Sequence, residues 1–95
     1  MGLLTKEQVS AALQSLDGWE QKGIGIQKKF VHKDFVRAMG FVQSVALLAE
    51  KVNHHPDIDI RWNIITLTLS THSAGGLTEK DMTLAKEIDL LIHTT

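Results

Sequence analysis

The 95-residue chain predicts an α+β fold, a two-layer sandwich in the order αββαββα, with its helices packed on one face of a four-stranded antiparallel sheet. Three observations carry this expectation. Apolar residues recur at helical spacing near the start, from Phe35 to Val52, and from Met82 to Ile92. Two further stretches alternate with a period near two, and each is divided by turn residues, Gly23 in the first and Trp62-Asn63 in the second. Hairpins separated by helices call for an antiparallel sheet with the helices segregated to one side.

The first helix opens at Thr5, whose spacing to Gln8 is that of a capping box, and carries Val9, Ala12, Leu13 and Leu16. Asp17-Gly18 stops it, because glycine tolerates the left-handed conformation common at a helix end. Trp19 to Lys22 and Ile24 to His32 follow as strands, with Ile24, Ile26 and Phe30 on one face. Lys28 falls on that face too, which suits an edge where its stem covers apolar surface. Asp34 caps the longest helix, whose stripe is Phe35, Ala38, Met39, Val42, Val45, Ala46, Ala49 and Val52. Val36, Phe41 and Leu48 lie off the stripe, so this helix is either well buried or packs on a second subunit as well.

Pro56 disfavours helical geometry at the residue before it, so the helix ends near Asn53 or His54 and the His54-His55 pair stands at its exit. Asp57 to Arg61 and Ile64 to Thr71 form the second hairpin, with Ile58 and Ile60 on one face of its first strand and Ile65, Leu67 and Leu69 inward on its second. A two-residue turn sets Arg61 opposite Ile64 and Asp57 opposite Thr68. The same register carried past Pro56 puts His54 opposite Thr71 and returns His72 close to the pair. Ser73-Ala74-Gly75-Gly76 is a connection, and Thr78 with Asp81 three residues on opens the last helix, which carries Met82, Ala85, Ile88 and Ile92.

Length bounds the chain to one domain, 1–95, able to bury somewhat more than about 60% of its unfolded surface. Ten Lys and Arg against eleven Asp and Glu give a net charge of −1, which offers no footprint for direct nucleic-acid binding or an anionic membrane. The chain has no cysteine, which excludes disulfide and thiolate chemistry and suits a reducing compartment; a cytoplasmic location is the expectation. Met1 to Lys6 lacks the pattern of a signal peptide or a myristoylation site, and no apolar run approaches the ~18 residues of a membrane span.

The chemistry gathers between Glu50 and Asp81, in the pattern E-x3-H-H-P-x5-W-x9-H-x8-D. Paired histidines alone are more often surface or hydrogen-bonded core residues. Here the hairpin brings His72 back toward His54 and His55, and three imidazoles at one place can divide acid and base roles near neutral pH. Glu50, one helical turn before His54, can bond a ring nitrogen and fix its tautomer; its bland reading is a solvated carboxylate beside Lys51. For Asp81 the bland reading is a helix-capping carboxylate. A metal site is disfavoured, because the adjacent histidines lack an i, i+4 partner and no cysteine assists. Trp62 can stack on a planar ligand or merely pack.

These residues resemble the signature of the pterin-4a-carbinolamine dehydratase family. The likeness covers essentially the whole chain and is carried by Lys33-Asp34-Phe35, Asn53-His54-His55-Pro56, Thr71-His72, Gly75-Gly76-Leu77-Thr78 and Lys80-Asp81. Ile58 stands where many members carry an aromatic, and Trp62 where tyrosine is frequent. The resemblance implies loss of water from a 4a-hydroxytetrahydropterin to give the quinonoid dihydropterin, in tetrahydrobiopterin recycling or a related pathway, with no metal or redox cofactor. It implies His54, His55 and His72 as catalytic residues. On that reading His55 and His72 exchange the protons, while His54 orients the pterin or substitutes for one of them, with Glu50, Trp62 and Asp81 in support. Substrate contacts are implied for His54, His55, Pro56, Thr71, His72, Ser73 and Ala74, and a homodimer or homotetramer for the assembly. The competing expectation is a non-catalytic dimerisation or binding module for a protein partner such as a transcription factor.

Overall fold

The computed structural model describes residues 2–94. Its elements are α1 (Lys6–Gln14), β1 (Glu20–Lys22), β2 (Gly25–Val31), α2 (Phe35–Val52), β3 (Asp57–Arg61), β4 (Ile64–Leu69) and α3 (Glu79–Thr94), with a 3-10 turn at His72–Ala74. The strands form one antiparallel sheet in the order β1-β2-β4-β3. This is the α+β class and the αββαββα order that the sequence predicts.

The core lies between the sheet and the helices. Strict alternation in β4 points Ile65, Leu67 and Leu69 inward, where all three are fully buried against Ile26 and Phe30 of β2. Each such side chain contributes about 1.5–3 kcal/mol relative to exposure. From above, Ala38, Phe41, Val45 and Ala49 of α2 and Met82, Leu84, Ala85 and Ile88 of α3 complete the core. Among the described residues, no helix is long and apolar enough to cross a membrane.

Several expectations shift in detail. Ile24 sits in the β1–β2 turn and is exposed, so the inward face of β2 starts at Ile26. β2 begins at Gly25, where a Cβ would stand 2.4 Å from the Leu69 carbonyl oxygen and keep β2 from closing on β4. Trp19 precedes β1; it is buried, and its Nε1–H donates to both carboxylate oxygens of Asp89 at 3.1 Å. Lys28 does lie at an edge, because β1 pairs with β2 no further than Gln27. Its ammonium donates to the Asp17 carbonyl at 2.8 Å and to Asp89 Oδ1 at 3.0 Å.

On α2 the buried line is rotated from the expected stripe. Phe35, Met39 and Val52 are exposed, whereas Phe41 is buried and Leu48 packs against the core. The cause is Phe41, whose ring lies 4.8 Å from Phe30 and so turns the helix toward β2. In β3, Ile58 and Ile60 pair with Leu67 and Ile65 and share their face, yet both are exposed, because β3 is the edge strand and its outer side has no strand neighbour. Ile92 is also more exposed than its helical register suggests. The sheet's other face carries Gln27, Lys29, Asp57, Asp59, Arg61, Thr66 and Thr68 and bounds a shallow cavity of 570 Å³.

Candidate active site

The site is assembled where α2 ends, where β4 ends and where α3 begins. Asn53 terminates α2 in the left-handed conformation, at φ 52° and ψ 47°. The His54 N–H donates to the Ala49 carbonyl at 3.1 Å and the Asn53 N–H to Glu50 at 3.3 Å, the paired bonds of a Schellman motif. An asparagine tolerates this backbone better than most residues. The motif folds the chain sharply back on the helix, so that His55 lies over the last turn. There its Nε2 meets Glu50 Oε2 at 2.5 Å.

Glu50 therefore does bond an imidazole, and the ring is that of His55. His54 turns the other way and meets Asp81 instead, Nε2 to Oδ1 at 2.6 Å. The two pairs differ in kind. Glu50 and His55 are 77% and 54% exposed, whereas Asp81 is 0% and His54 11% exposed. A charged group so deeply buried persists only with its hydrogen bonds made. Asp81 Oδ2 accepts from the Thr78 N–H at 2.9 Å and the Thr71 hydroxyl at 2.8 Å. The Thr78 contact is the reciprocal half of a capping box, so one carboxylate both caps α3 and meets His54.

The hairpin register holds through the strands, with Arg61 opposite Ile64 and Asp57 opposite Thr68. Past Pro56 the ladder does not continue. β4 ends at Leu69, and Thr71 bridges Gly76 rather than His54. The chain turns there because Gly75, at φ +78°, adopts a left-handed backbone that lets His72–Ala74 close as a 3-10 turn. His72 follows Thr71 directly and is exposed, and its side chain makes no hydrogen bond among the described residues. Thus Asp81, reached from Thr71 on one side and from His54 on the other, joins two segments that the extended register would have joined directly.

An ionised carboxylate only accepts, so His54 Nε2 is the donor in its contact with Asp81. A neutral His54 then carries its lone pair on Nδ1, which makes no hydrogen bond among the described residues. The same logic gives His55 an Nε2–H directed at Glu50 and a lone pair on Nδ1. Beside His54 opens a cavity of 260 Å³ bounded by Val52, Glu79, Lys80, Thr83, Leu84 and Glu87. Pro56 is partly buried at the start of β3, and Ser73 and Ala74 lie in the 3-10 turn. Trp62 stands at the far tip of the hairpin, exposed and at φ +51°, with the whole of β3 between it and His55, a span of ~16 Å. Within one chain it does not join the cluster.

Thr78 belongs to this network, although the sequence marked it only as a helix cap and as part of the Gly75-Gly76-Leu77-Thr78 segment, with no role in the site. Its hydroxyl lies 2.8 Å from that of Thr71. Its local signal in the sequence was the Thr-x-x-Asp spacing, which is common to many helix starts. No group of His, Asp and Glu among the described residues is arranged to hold a metal ion.

Three comparisons bear on these residues. The sequence model of the family described as pterin 4 alpha carbinolamine dehydratase matches residues 2–91. A protein of Mycobacteroides abscessus, provisionally named a pterin-4-alpha-carbinolamine dehydratase, is 47% identical over 92 residues, covering 97% of this chain and 98% of its own. A similarly named protein of Nocardia farcinica is 51% identical over 89 residues, covering 94% of each chain. Among solved structures, a transcriptional coactivator/pterin dehydratase from Brucella melitensis superposes with a TM-score of 0.89 at 39% identity, over 92% of this chain and 95% of that one. A pterin dehydratase-like RuBisCO assembly factor of the alpha-carboxysome shares the fold, with a TM-score of 0.63 at 23% identity, over 77% and 84% of the two chains.

Proposed function

The chain belongs to the pterin 4 alpha carbinolamine dehydratase family, and from that premise we propose that it removes water from a 4a-hydroxytetrahydropterin by histidine acid/base catalysis. The observation that carries this reading is the clamp of Asp81 on His54, a buried carboxylate spent on orienting one imidazole. Such an arrangement stabilises the fold less than an apolar pair would, and it suits a ring that must present one nitrogen in one direction.

The reaction needs a proton delivered to the C4a hydroxyl as it leaves and a proton taken from N5 as the C4a=N5 bond forms. The lone pair of His54 at Nδ1, held by Asp81 at the opposite nitrogen, is suited to accept the N5 proton. His55 and His72, both in contact with solvent, are the donors left for the departing oxygen. Of the two roles expected for His54, orienting the pterin or substituting for one of the proton-exchanging histidines, this reading takes the second. The pterin would lie along the segment that offers His54, His55 and Pro56 on one side and Thr71 to Ala74 on the other, in a tetrahydrobiopterin-recycling or related pathway within the cytoplasm. Nothing in the step calls for a metal or redox group: the C4a–O bond breaks, water leaves and the C4a=N5 bond forms with no net oxidation or reduction.

A second reading rests on a separate observation. Val36 and Leu47 of α2 are 80% and 65% exposed, and Phe35 and Met39 add to the same helix's uncovered apolar surface. This surface suits a second copy of the chain, in a homodimer or homotetramer, or another protein; the Brucella relative is described as a transcriptional coactivator/pterin dehydratase. The test of the enzymatic reading is a stopped-flow assay in which the 4a-hydroxytetrahydropterin is generated enzymatically and its decay followed. Wild type should accelerate the decay and His54→Ala should lose most of the acceleration. No acceleration over the spontaneous decay would overturn the dehydratase reading in favour of the binding role.

A further inference from the structure

Thr71 occupies the junction between the two segments that carry the proposed catalytic histidines. Its main chain holds the loop of His72: the Thr71 N–H donates to the Gly76 carbonyl at 2.8 Å, and the Thr71 carbonyl accepts from the N–H groups of Ala74 and Gly75, each at 3.0 Å. Its side chain holds the carboxylate partner of His54, through the 2.8 Å bond to Asp81 Oδ2. The residue is 7% exposed, and both of its donors are spent inside the chain.

We infer that Thr71 is a positioning residue, whose hydroxyl fixes the Asp81 carboxylate so that His54 is held in the Nε2–H tautomer and in register with His72. The inference rests on the dehydratase reading for its kinetic consequence, though not for its structural one. The direction of the hydrogen bonds follows from counting protons. A hydroxyl has one hydrogen. Thr71 gives its hydrogen to Asp81, so the 2.8 Å contact between the two threonine hydroxyls must be donated by Thr78. Thr78 in turn accepts the Lys80 N–H at 3.3 Å. The chain of donors therefore runs one way, from the first turn of α3 through Thr78 and Thr71 to Asp81, and ends at an oxygen that can only accept.

Asp81 Oδ2 is held by two donors about a fixed axis, and the torsion of the carboxylate is thereby set. Oδ1 can then point only at His54. Without the Thr71 hydroxyl, the Thr78 N–H alone would hold Oδ2, and the carboxylate could swing. His54 would lose its single enforced donor direction. Nothing else ties the His72 loop to the His54 carboxylate through a side chain among the described residues.

The experiment compares Thr71→Val, which keeps the volume and removes the hydroxyl, with Thr71→Ser, which keeps the hydroxyl. Imidazole 15N spectra report the tautomer of His54, and stopped-flow kinetics report kcat and KM separately. Wild type and Thr71→Ser should show one Nε2–H tautomer at His54. Thr71→Val should show a mixture, with kcat lower by about tenfold, the equivalent of one hydrogen bond to a charged group, and KM changed by less than about twofold. Should the valine variant fail to fold, Thr71→Ala read against Thr71→Ser makes the same comparison. A folded variant without the hydroxyl that keeps the single tautomer and the wild-type kcat would overturn the inference, as would a serine variant that behaves like valine. If wild type proves inactive on the pterin, the dehydratase reading fails while the tautomer comparison still decides the role of Thr71.

Discussion

His54 Nε2 lies 2.6 Å from Oδ1 of Asp81, a carboxylate 27 residues further along the chain and wholly removed from solvent. Replacing that carboxylate by an amide puts a nitrogen where one oxygen now accepts. In Asp81→Asn an N–H group must face either His54 Nε2–H or the Thr71 and Thr78 donors. Dehydratase kcat should fall by about 10²-fold or more, through loss of the oriented base. Stability should fall by about 1–3 kcal/mol in urea unfolding, because a buried donor is left without its acceptor. Unchanged kinetics with reduced stability would assign Asp81 a capping role alone.

The Glu50 and His55 pair predicts a much weaker effect. Both side chains are largely exposed, so water can replace the carboxylate at little cost. Glu50→Gln should change kcat by less than about fivefold, and the change should shrink further as salt is raised. The contrast with Asp81→Asn under one set of assay conditions separates a solvated orienting contact from a buried one.

His32 sets a pH dependence of stability. Its Nε2 is buried without a hydrogen-bond partner among the described residues, its ring lies 4.8 Å from that of Phe41, and burial lowers its pKa from the ordinary value of 6.5. The unfolded chain then binds a proton more readily than the folded one, so stability rises with pH across this window. The contribution is fully present above 6.5 and is lost as the pH falls below it toward the lowered folded value. Urea midpoints measured from pH 7.5 to 5.5 should decline in wild type, and the decline should be shallower in His32→Phe. Parallel curves would remove His32 as the cause.

Gly25 is required by close approach. A Cβ at this position would meet the Leu69 carbonyl oxygen at 2.4 Å, a backbone atom that cannot swing aside, at the point where β2 joins β4. Gly25→Ala should destabilise by about 1–3 kcal/mol, the usual cost of forcing a packed backbone apart. By contrast Gly40, with open space around its would-be Cβ and a place inside α2, should be stabilised by alanine by about 0.5–1 kcal/mol. Thermal unfolding of both variants checks the pair of signs.

The sequence by itself determined the order of the elements, because hydrophobic periods of 3.6 and 2 are local properties that each stretch displays without help. It also determined the caps at Thr5 and Asp34, the turn at Trp62-Asn63 with its register, and the inward set Ile65, Leu67 and Leu69. The residues of the candidate site stood out too, as a spaced pattern of histidines and carboxylates. Only the tertiary structure decided which carboxylate serves which imidazole. Glu50 is near both histidines in sequence, and the choice depends on the left-handed turn at Asn53, which throws the two rings to opposite sides. The role of Phe41 was hidden because helical spacing marks a stripe without saying where its centre faces; contact with Phe30 on another element sets that rotation. Exposure of Ile58 and Ile60 was hidden for the same reason, since alternation names the face of a strand and not whether anything covers it. The Thr78–Thr71–Asp81–His54 relay joins three separate segments, and hydrogen bonds between segments exist only once packing has brought their atoms within three ångströms of one another.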